Sequence, residues 1–503
     1  MSKSKVRSLF KKATVLAAIV ALMAALLPSM TAIGAGAATG LTVDAASQLG
    51  KWNRFYEESI GTCHPITILE SAFGRNIIPA LEKGYKEAGF KKFRAHGILD
   101  KDMGVYREVN GKPVYDWTKF DQVYDKVTAI GMRPIVELSF MPPDLAATTA
   151  EVFWYNGAPG KISPPKDFNK WRDLCKAVVE HCEKRYGAEE VRKNWYFEVW
   201  NEPDLSGFWS SSESMYYKLY DYAVEGVKAA DSKVKVGGPS ISATHMKWME
   251  RFLKHIKTGK NFATGKTGAR CDFITYHRYS TDEGFGSTKS DPNAMVQYHN
   301  AIVDYAKKYG FTGEIMCTEW APSANAETNH SDDETSASFI AKTIHMFNDN
   351  GNYQMPFAYS WWCLSDIFEE WDPRPKTAYD GSFGLLLRGD PKIKDSYDVE
   401  KPSFNAFKLL HMMGDTMVSL KGGNKEDGVN GVATLSKDKN SMQVLVYNHI
   451  KGASADPLST DNVNLTINNI PFASGNVKIE HYCIDYNTSN SYHVWEKMGS
   501  PSV

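Results

Sequence analysis

Between about residues 55 and 365 one local pattern recurs eight times: a short run rich in β-branched and aromatic residues, then a break. The breaks fall at His64, His96, Ser139, Asn201, Gly238, His277, Glu319 and Trp362, 32 to 62 residues apart. Such an interval holds a strand, a crossover helix and two loops, as parallel strands require. Eight units in a row predict a closed parallel barrel, the (β/α)8 or TIM fold of the α/β class. Phe120, Val123, Tyr124, Val127 and Ile130, and again Trp171, Leu174, Cys175, Val178 and Val179, repeat at i, i+3, i+4 spacing. They predict amphipathic helices packed on the outside of the barrel. The longest interval carries Met141-Pro-Pro143 and Gly157-Ala-Pro-Gly160. A long loop after the third strand is therefore expected to overhang the barrel mouth, with Trp154, Tyr155 and Phe168 as its candidate binding contacts.

The last barrel helix is expected from Pro402, with Phe404, Phe407 and Leu410 on one face and Gly414 as its stop. Beyond it the texture changes to short alternating runs, Met417 to Leu420, Gly431 to Leu435, Met442 to Asn448 and Val463 to Ile467, separated by Asn, Asp, Gly and Ser. This predicts an antiparallel β-sandwich accessory domain, to which part of Leu41 to Trp52 adds a strand. The expected organisation is a signal segment over 1–38, the catalytic barrel over 39–413 and the sandwich over 414–503.

Residues 1–38 place Lys3, Lys5, Arg7, Lys11 and Lys12 ahead of an apolar run from Ala13 to Leu27, followed by Ala35-Gly-Ala37. That is the pattern of a secretory signal peptide, with an uncleaved anchor as the alternative. A secreted or cell-surface, extracellular bacterial protein is expected, with no membrane contact after cleavage. A formal net charge of -1 supplies no basic field for nucleic acid. The seven cysteines contain no C-x-x-C pair and read as isolated thiols, neither a disulfide framework nor a metal site. Gly265-Lys-Thr267 ends like a phosphate-binding loop but lacks the earlier glycine in register, and no metalloprotease, EF-hand, nucleophile-elbow or dinucleotide motif is present. No metal or cofactor is expected, and a homo-oligomer is left open.

Two carboxylates stand out. In Trp195-Tyr-Phe-Glu-Val-Trp-Asn-Glu-Pro-Asp204 an apolar run stops on Asn201, Glu202 and a proline; in Glu314-Ile-Met-Cys-Thr-Glu-Trp320 another stops on Glu319. In a (β/α)8 barrel the strand C-termini build the active-site face, so both side chains are placed on it. The alternative for the first is helix capping, with Asn201 as the cap. Glycoside hydrolysis needs such a pair, about 5 to 5.5 Å apart for retention and about 6.5 to 9.5 Å for inversion.

Trp-Asn-Glu-Pro at a fourth strand and Thr-Glu-Trp at a seventh resemble the retaining glycosidase clan built on (β/α)8 barrels. Phe93-Arg-Ala-His-Gly97, Asp102-Met-Gly-Val-Tyr-Arg107, Val136-Glu-Leu-Ser-Phe-Met-Pro142, Pro164-Pro-Lys-Asp167, Val236-Gly-Gly-Pro239 and Ser365-Asp-Ile-Phe-Glu-Glu370 are similar, in order, to stretches of glycoside hydrolase family 39, the β-xylosidase family. The resemblance implies Glu202 as general acid/base and Glu319 as nucleophile. The Glu319 charge would then favour the proton on Glu202 until glycosylation removes it. It also implies that Asn201 bonds the sugar 2-hydroxyl, that His277 and Tyr279 line the cleft with Tyr279 orienting the nucleophile, and that His64 holds sugar hydroxyls. His96, Trp362 as a stacking ring, and Glu369 and Glu370 as hydroxyl acceptors complete the expected sugar site. Bland readings remain for several: core packing for His96, His277 and Tyr279, and a solvated acidic pair for Glu369 and Glu370.

The chain departs from the family at Trp320-Ala-Pro-Ser323 and at Arg278. The implied activity is a β-D-xylosidase releasing xylose from the non-reducing end of xylo-oligosaccharides, in xylan degradation. The alternatives are the same mechanism on an arabinoside, iduronide or exopolysaccharide, with Arg278 as a uronate clamp, or a non-catalytic carbohydrate-binding protein.

Overall fold

Eight short runs of β-branched and aromatic residues become strands buried on both faces, as a parallel sheet wrapped by helices demands. In the computed structural model they are Ile60–Thr62, Lys92–Ala95, Arg133–Leu138, Tyr196–Val199, Lys235–Ile241, Phe273–Tyr279, Glu314–Ala321 and Ala358–Trp361. They pair in parallel, each with its neighbour in sequence, and Trp361 pairs with Ile60 to close the barrel. The structure describes residues 38–62, 64–69, 77–152, 159–281, 291–324, 331–350, 354–365, 378–379, 383–387, 398–450, 461–472 and 475–501.

Helices follow the strands at the predicted spacing. Thr118–Ile130 buries Phe120, Val123, Tyr124 and Val127, and Phe168–Tyr186 buries Trp171, Leu174, Cys175, Val178 and Val179, all against the barrel. Asp167 caps the latter by accepting from the Asn169 and Lys170 backbone N–H groups, which is why the long third loop ends there. Phe168 is thus the first helical residue. It packs on Tyr222 and under the Lys218 ammonium at 4.2 Å, so the expectation that it is a binding contact of the loop, on the aglycone side of the sugar site, is corrected. Trp154 and Tyr155 lie outside the described residues. The loop itself folds back through Met141 paired with Lys161, and its Phe140 stacks on Phe208 beside the fourth-strand loop.

The barrel interior is layered because strand residues alternate inward and outward. At the base Ile135, Tyr196, Phe273, Met316 and Ala358 form an apolar plug. One step along the same strands stand Glu137 and Glu198, in register with each other, with Arg94 between them. A further step reaches the rim, where His96, His277 and Glu319 sit. The seventh strand has a bulge at Thr318, which shifts register between Cys317 and Glu319 relative to its neighbour. Thr318 and Glu319 can therefore both face inward: the Thr318 hydroxyl bonds Glu198, and the Glu319 carboxylate reaches the rim.

The accessory module is a five-stranded sheet ordered Met442–His449, Gly428–Leu435, Thr416–Gly422, Thr39–Lys51 and Val463–Asn468. Residues 39–51 supply its fourth strand from ahead of the barrel, antiparallel to Thr416–Gly422 and parallel to Val463–Asn468. The sheet docks on the barrel helix Glu334–Asp349 through Ser338 with His449, His345 with Tyr447, and the Lys342 ammonium on the Glu426 carbonyl.

Candidate active site

The fourth strand ends under strain. Trp200 has φ 76° and Glu202 φ 43°, left-handed values that a non-glycine residue keeps only when its surroundings fix them. Here they are fixed: the Trp200 indole N–H donates to the Phe208 carbonyl and the Glu202 N–H to the Ser240 carbonyl, both at 2.9 Å. Asp204 accepts from the Ser242 N–H and hydroxyl at 2.9 and 2.7 Å, tying this loop to the one after strand five. Turns follow, not a helix; the next helix, Glu213–Ala230, is capped by Ser212. The capping reading of Asn201 is thereby corrected. Its Oδ1 accepts from Arg94 at 2.9 Å, and its buried Nδ2 has no hydrogen-bond partner among the described residues. A buried amide donor left so is costly unless a ligand oxygen completes it.

Glu319 is held on both oxygens. Oε1 accepts from Arg94 Nη1 at 2.8 Å and lies 3.4 Å from His96 Nε2; Oε2 accepts from the Tyr279 hydroxyl at 2.8 Å. His277 Nδ1 stands 2.8 Å from Glu202 Oε1 and 3.5 Å from Glu319 Oε2. One oxygen of Glu202 and one of Glu319 lie within 4.8 Å of each other. So close an approach suits the short carboxyl separation of a retaining pair better than the wider one of an inverting pair.

Beneath the pair Arg94, fully buried, binds Glu198 through Nε at 2.6 Å, Glu137 through Nη2 at 2.7 Å, and the Ser240 hydroxyl at 3.0 Å. Burial opposes its charge, and Glu198, Glu137 and Glu319 outweigh burial. Burial would likewise raise Glu319, but His277, His96 and the Arg94 guanidinium overrule it and hold the carboxyl well below the usual carboxylate range. Glu198 is pushed upward by burial, against the pull of Arg94. Burial also drives His277 down to about 3, so its ring is neutral at ordinary pH.

Of the remaining residues expected from sequence, His96 adjoins this pair and Trp362 packs against His96. His96 Nδ1 bonds Glu137 at 2.9 Å, and its ring centroid is 4.6 Å from that of Trp362. The indole fits because the facing residue is Gly61, where a Cβ would come within 2.1 Å of it. His64 adjoins Asp100 at 3.8 Å, and a Cβ at Gly97 would intrude on both. Burial holds His64 well below and Asp100 well above their ordinary values. Glu369 and Glu370 lie outside the described residues. Arg278 does not reach the site: alternation turns it to the outer face, where it lies 5.1 Å from the Tyr298 ring.

Sequence reasoning gave no role to Arg94, Glu137, Glu198, Ser240 or Asp100. The available signal was a charge at mid-strand in three apolar runs, since a buried charge needs a partner.

A family model for "Glycosyl hydrolases family 39" matches residues 39–503. The chain belongs to this family. It is 32% identical to a beta-xylosidase of Caldicellulosiruptor saccharolyticus, over 92% of this chain and 88% of that protein. It is 24% identical to the alpha-L-iduronidase of Homo sapiens over 96% of this chain and 74% of that protein. The solved structure of a GH39 beta-xylosidase from Caulobacter crescentus is 29% identical, with a TM-score of 0.71 over 92% of this chain and 90% of that one. As a family 39 member the protein is a retaining glycoside hydrolase on a (β/α)8 barrel, acting on carbohydrate.

Glu202, His277 and Glu319 also present one ligand-capable atom each within 4.8 Å, which a divalent ion could exploit. The Arg94 guanidinium, 2.8 Å from Glu319, would repel a cation seated among them. No described helix is long and apolar enough to cross a membrane.

Proposed function

We propose that the protein is a β-D-xylosidase releasing xylose from the non-reducing end of xylo-oligosaccharides, with Glu319 as nucleophile and Glu202 as acid/base. The observation that carries the assignment is the asymmetry of the pair: Glu319 is fastened to Arg94 and kept ionised, while Glu202 faces the neutral His277 at the rim. In the first step a Glu319 oxygen bonds the anomeric carbon as the glycosidic bond breaks. Its electron pair leaves on the departing oxygen, which takes the Glu202 proton. Glycosylation removes the Glu319 charge, and Glu202, now the base, takes a proton from the water that releases xylose. Asn201 Nδ2 supports the charge build-up by bonding the 2-hydroxyl, while Trp362, His96 and His64 hold the ring.

Xyloside is favoured over uronide by charge. A uronate carboxylate calls for a basic clamp, yet among the described residues Arg94 is saturated by acceptors and Arg278 faces the helices. The test is nitrophenol release from a panel of aryl β-xyloside, β-glucoside, α-arabinoside and iduronide. Fastest cleavage of the β-xyloside is expected; an inert β-xyloside beside a cleaved iduronide would refute the substrate. Turnover surviving in both Glu202→Ala and Glu319→Ala would refute the catalytic pair.

Export also belongs to this reading, supported by the basic-then-apolar pattern of residues 1–38. Intact mass of the protein recovered from the medium should correspond to a start near residue 38. Self-association is supported by the apolar residues that the accessory module leaves in solvent, Leu465 on the sheet's edge strand together with Ile479 and Tyr482. Light scattering on the eluted protein decides it.

A further inference from the structure

The hydrogen bonds under Glu202 take their direction from Arg94 and from the acceptor open to the Ser240 hydroxyl. Arg94 can only donate. Its Nη2 lies 3.0 Å from the Ser240 hydroxyl oxygen, so that oxygen accepts there. The oxygen keeps a second lone pair, but its one O–H still needs an acceptor, and among the described residues that acceptor is His277 Nε2, at 2.8 Å. With Nε2 accepting, the one proton of the neutral imidazole sits on Nδ1, aimed at Glu202 Oε1 at 2.8 Å. Oε1 accepts, and the acid proton of Glu202 is left to Oε2.

A second observation concerns the Ser240 backbone. Its φ of 57° is left-handed, the region glycine enters without cost. A serine is kept there, its carbonyl holding the Glu202 N–H at 2.9 Å and its hydroxyl holding His277. One strained residue thus fixes both the main chain and, through the histidine, the side chain of Glu202.

We propose that Ser240 is a positioning residue that locks His277 in its Nδ1–H form and thereby confines the transferable proton of Glu202 to Oε2. This rests on the assignment of Glu202 as acid/base. The proton leaves Oε2 for the glycosidic oxygen and returns to Oε2 from water; His277 donates throughout and gives none up. Without the hydroxyl, Nε2 can take the ring proton. Nδ1 then becomes an acceptor and competes with the leaving group for the acid proton.

The test compares Ser240→Ala and Ser240→Gly with wild type on β-xylosides of graded leaving groups. Phenyl and alkyl xylosides need protonation, and dinitrophenyl xyloside needs little. Glu202→Ala serves as the reference for lost acid catalysis. Loss of kcat/KM should be at least about tenfold greater on the poor leaving groups than on dinitrophenyl xyloside, a fraction of the 10²–10⁴-fold worth of general acid catalysis. The alkaline limb of the pH profile should move up, because Glu202 loses a donor to its charged form while Glu319, Arg94 and His96 stay in place. Ser240→Gly, which also relieves the backbone, should behave alike and melt no lower than Ser240→Ala. Equal losses on both substrate classes with an unmoved alkaline limb would overturn the proposal. If Glu202→Ala itself showed no leaving-group selectivity, the acid assignment would fall, and the proposal with it.

Discussion

Replacing Arg94 with methionine separates what this residue does for the fold from what it does for the reaction. The side chain is fully buried and touches Glu137, Glu198 and Glu319 at 2.6 to 2.8 Å. Methionine fills much of the volume but removes the only positive charge those contacts record, leaving buried carboxylates to face one another. Breaking a buried pair by removing one partner costs about 3–5 kcal/mol, against total domain stabilities of about 5–15 kcal/mol. Urea denaturation followed by tryptophan fluorescence at pH 7 should report a loss in that range. The loss should shrink toward pH 5, because orphaned carboxyls with raised pKa values bind protons in the folded state before the unfolded chain does. Adding Glu198→Gln, which removes the acceptor for Arg94 Nε at 2.6 Å, should recover roughly half of it by the same pairwise reasoning. Turnover should behave differently. Without the guanidinium Glu319 loses its 2.8 Å donor on Oε1 and one of the groups that hold it ionised, so kcat on nitrophenyl β-xyloside should fall about 100-fold or more in both variants. A single variant within about 1 kcal/mol of wild type, or a double variant that regains activity with stability, would refute the argument.

Tyr279→Phe deletes the 2.8 Å hydrogen bond to Glu319 Oε2; a bond to a charged group is worth about 1.5–3 kcal/mol, so kcat/KM should drop roughly 10- to 100-fold, and undiminished turnover would count against an orienting role. Docking of the accessory sheet should weaken in acid. Burial holds His345 and His449 down to about 4 from 6.5, so the unfolded chain binds protons first and stability is lost as pH falls from about 6.5 toward 4. Each ring should remove about 2 kcal/mol at pH 5, measured as a flatter urea-midpoint profile between pH 7 and 5 in His449→Gln; a profile as steep as wild type would refute the burial argument.

The barrel was legible because its signal is repetitive: eight breaks at crossover spacing survive local ambiguity in any one strand. The carboxylate pair was legible because Glu202 and Glu319 each end a run. The charged layer beneath was not. Arg94, Glu137 and Glu198 sit inside apolar strands, and sequence gives no means of telling that three such charges from different strands meet at one level of the interior. Asn201 was open to reading as a helix cap because Pro203 suits a first turn, yet the tie from Asp204 to Ser242 holds the segment in turns. Arg278 kept a uronate option alive until alternation was counted along Phe273–Tyr279. The strand over residues 39–51 was faint because its hydrophobic pattern is interrupted by bulges near Gln48 and Gly50.

That strand has a consequence for the order of synthesis. Its partners, Thr416–Gly422 and Val463–Asn468, leave the ribosome only after the entire barrel, tens of seconds later at about 5–20 residues per second. Until then residues 39–51 are a lone ribbon with both edges open, and the barrel must be able to close without them. When the last strands arrive, they clasp residues 39–51 from either side, so the segments before and after the barrel become a buckle. Because residues 39–51 are the sheet neighbour of Val463–Asn468, removing them takes away that edge strand's pairing partner while the barrel strands keep theirs.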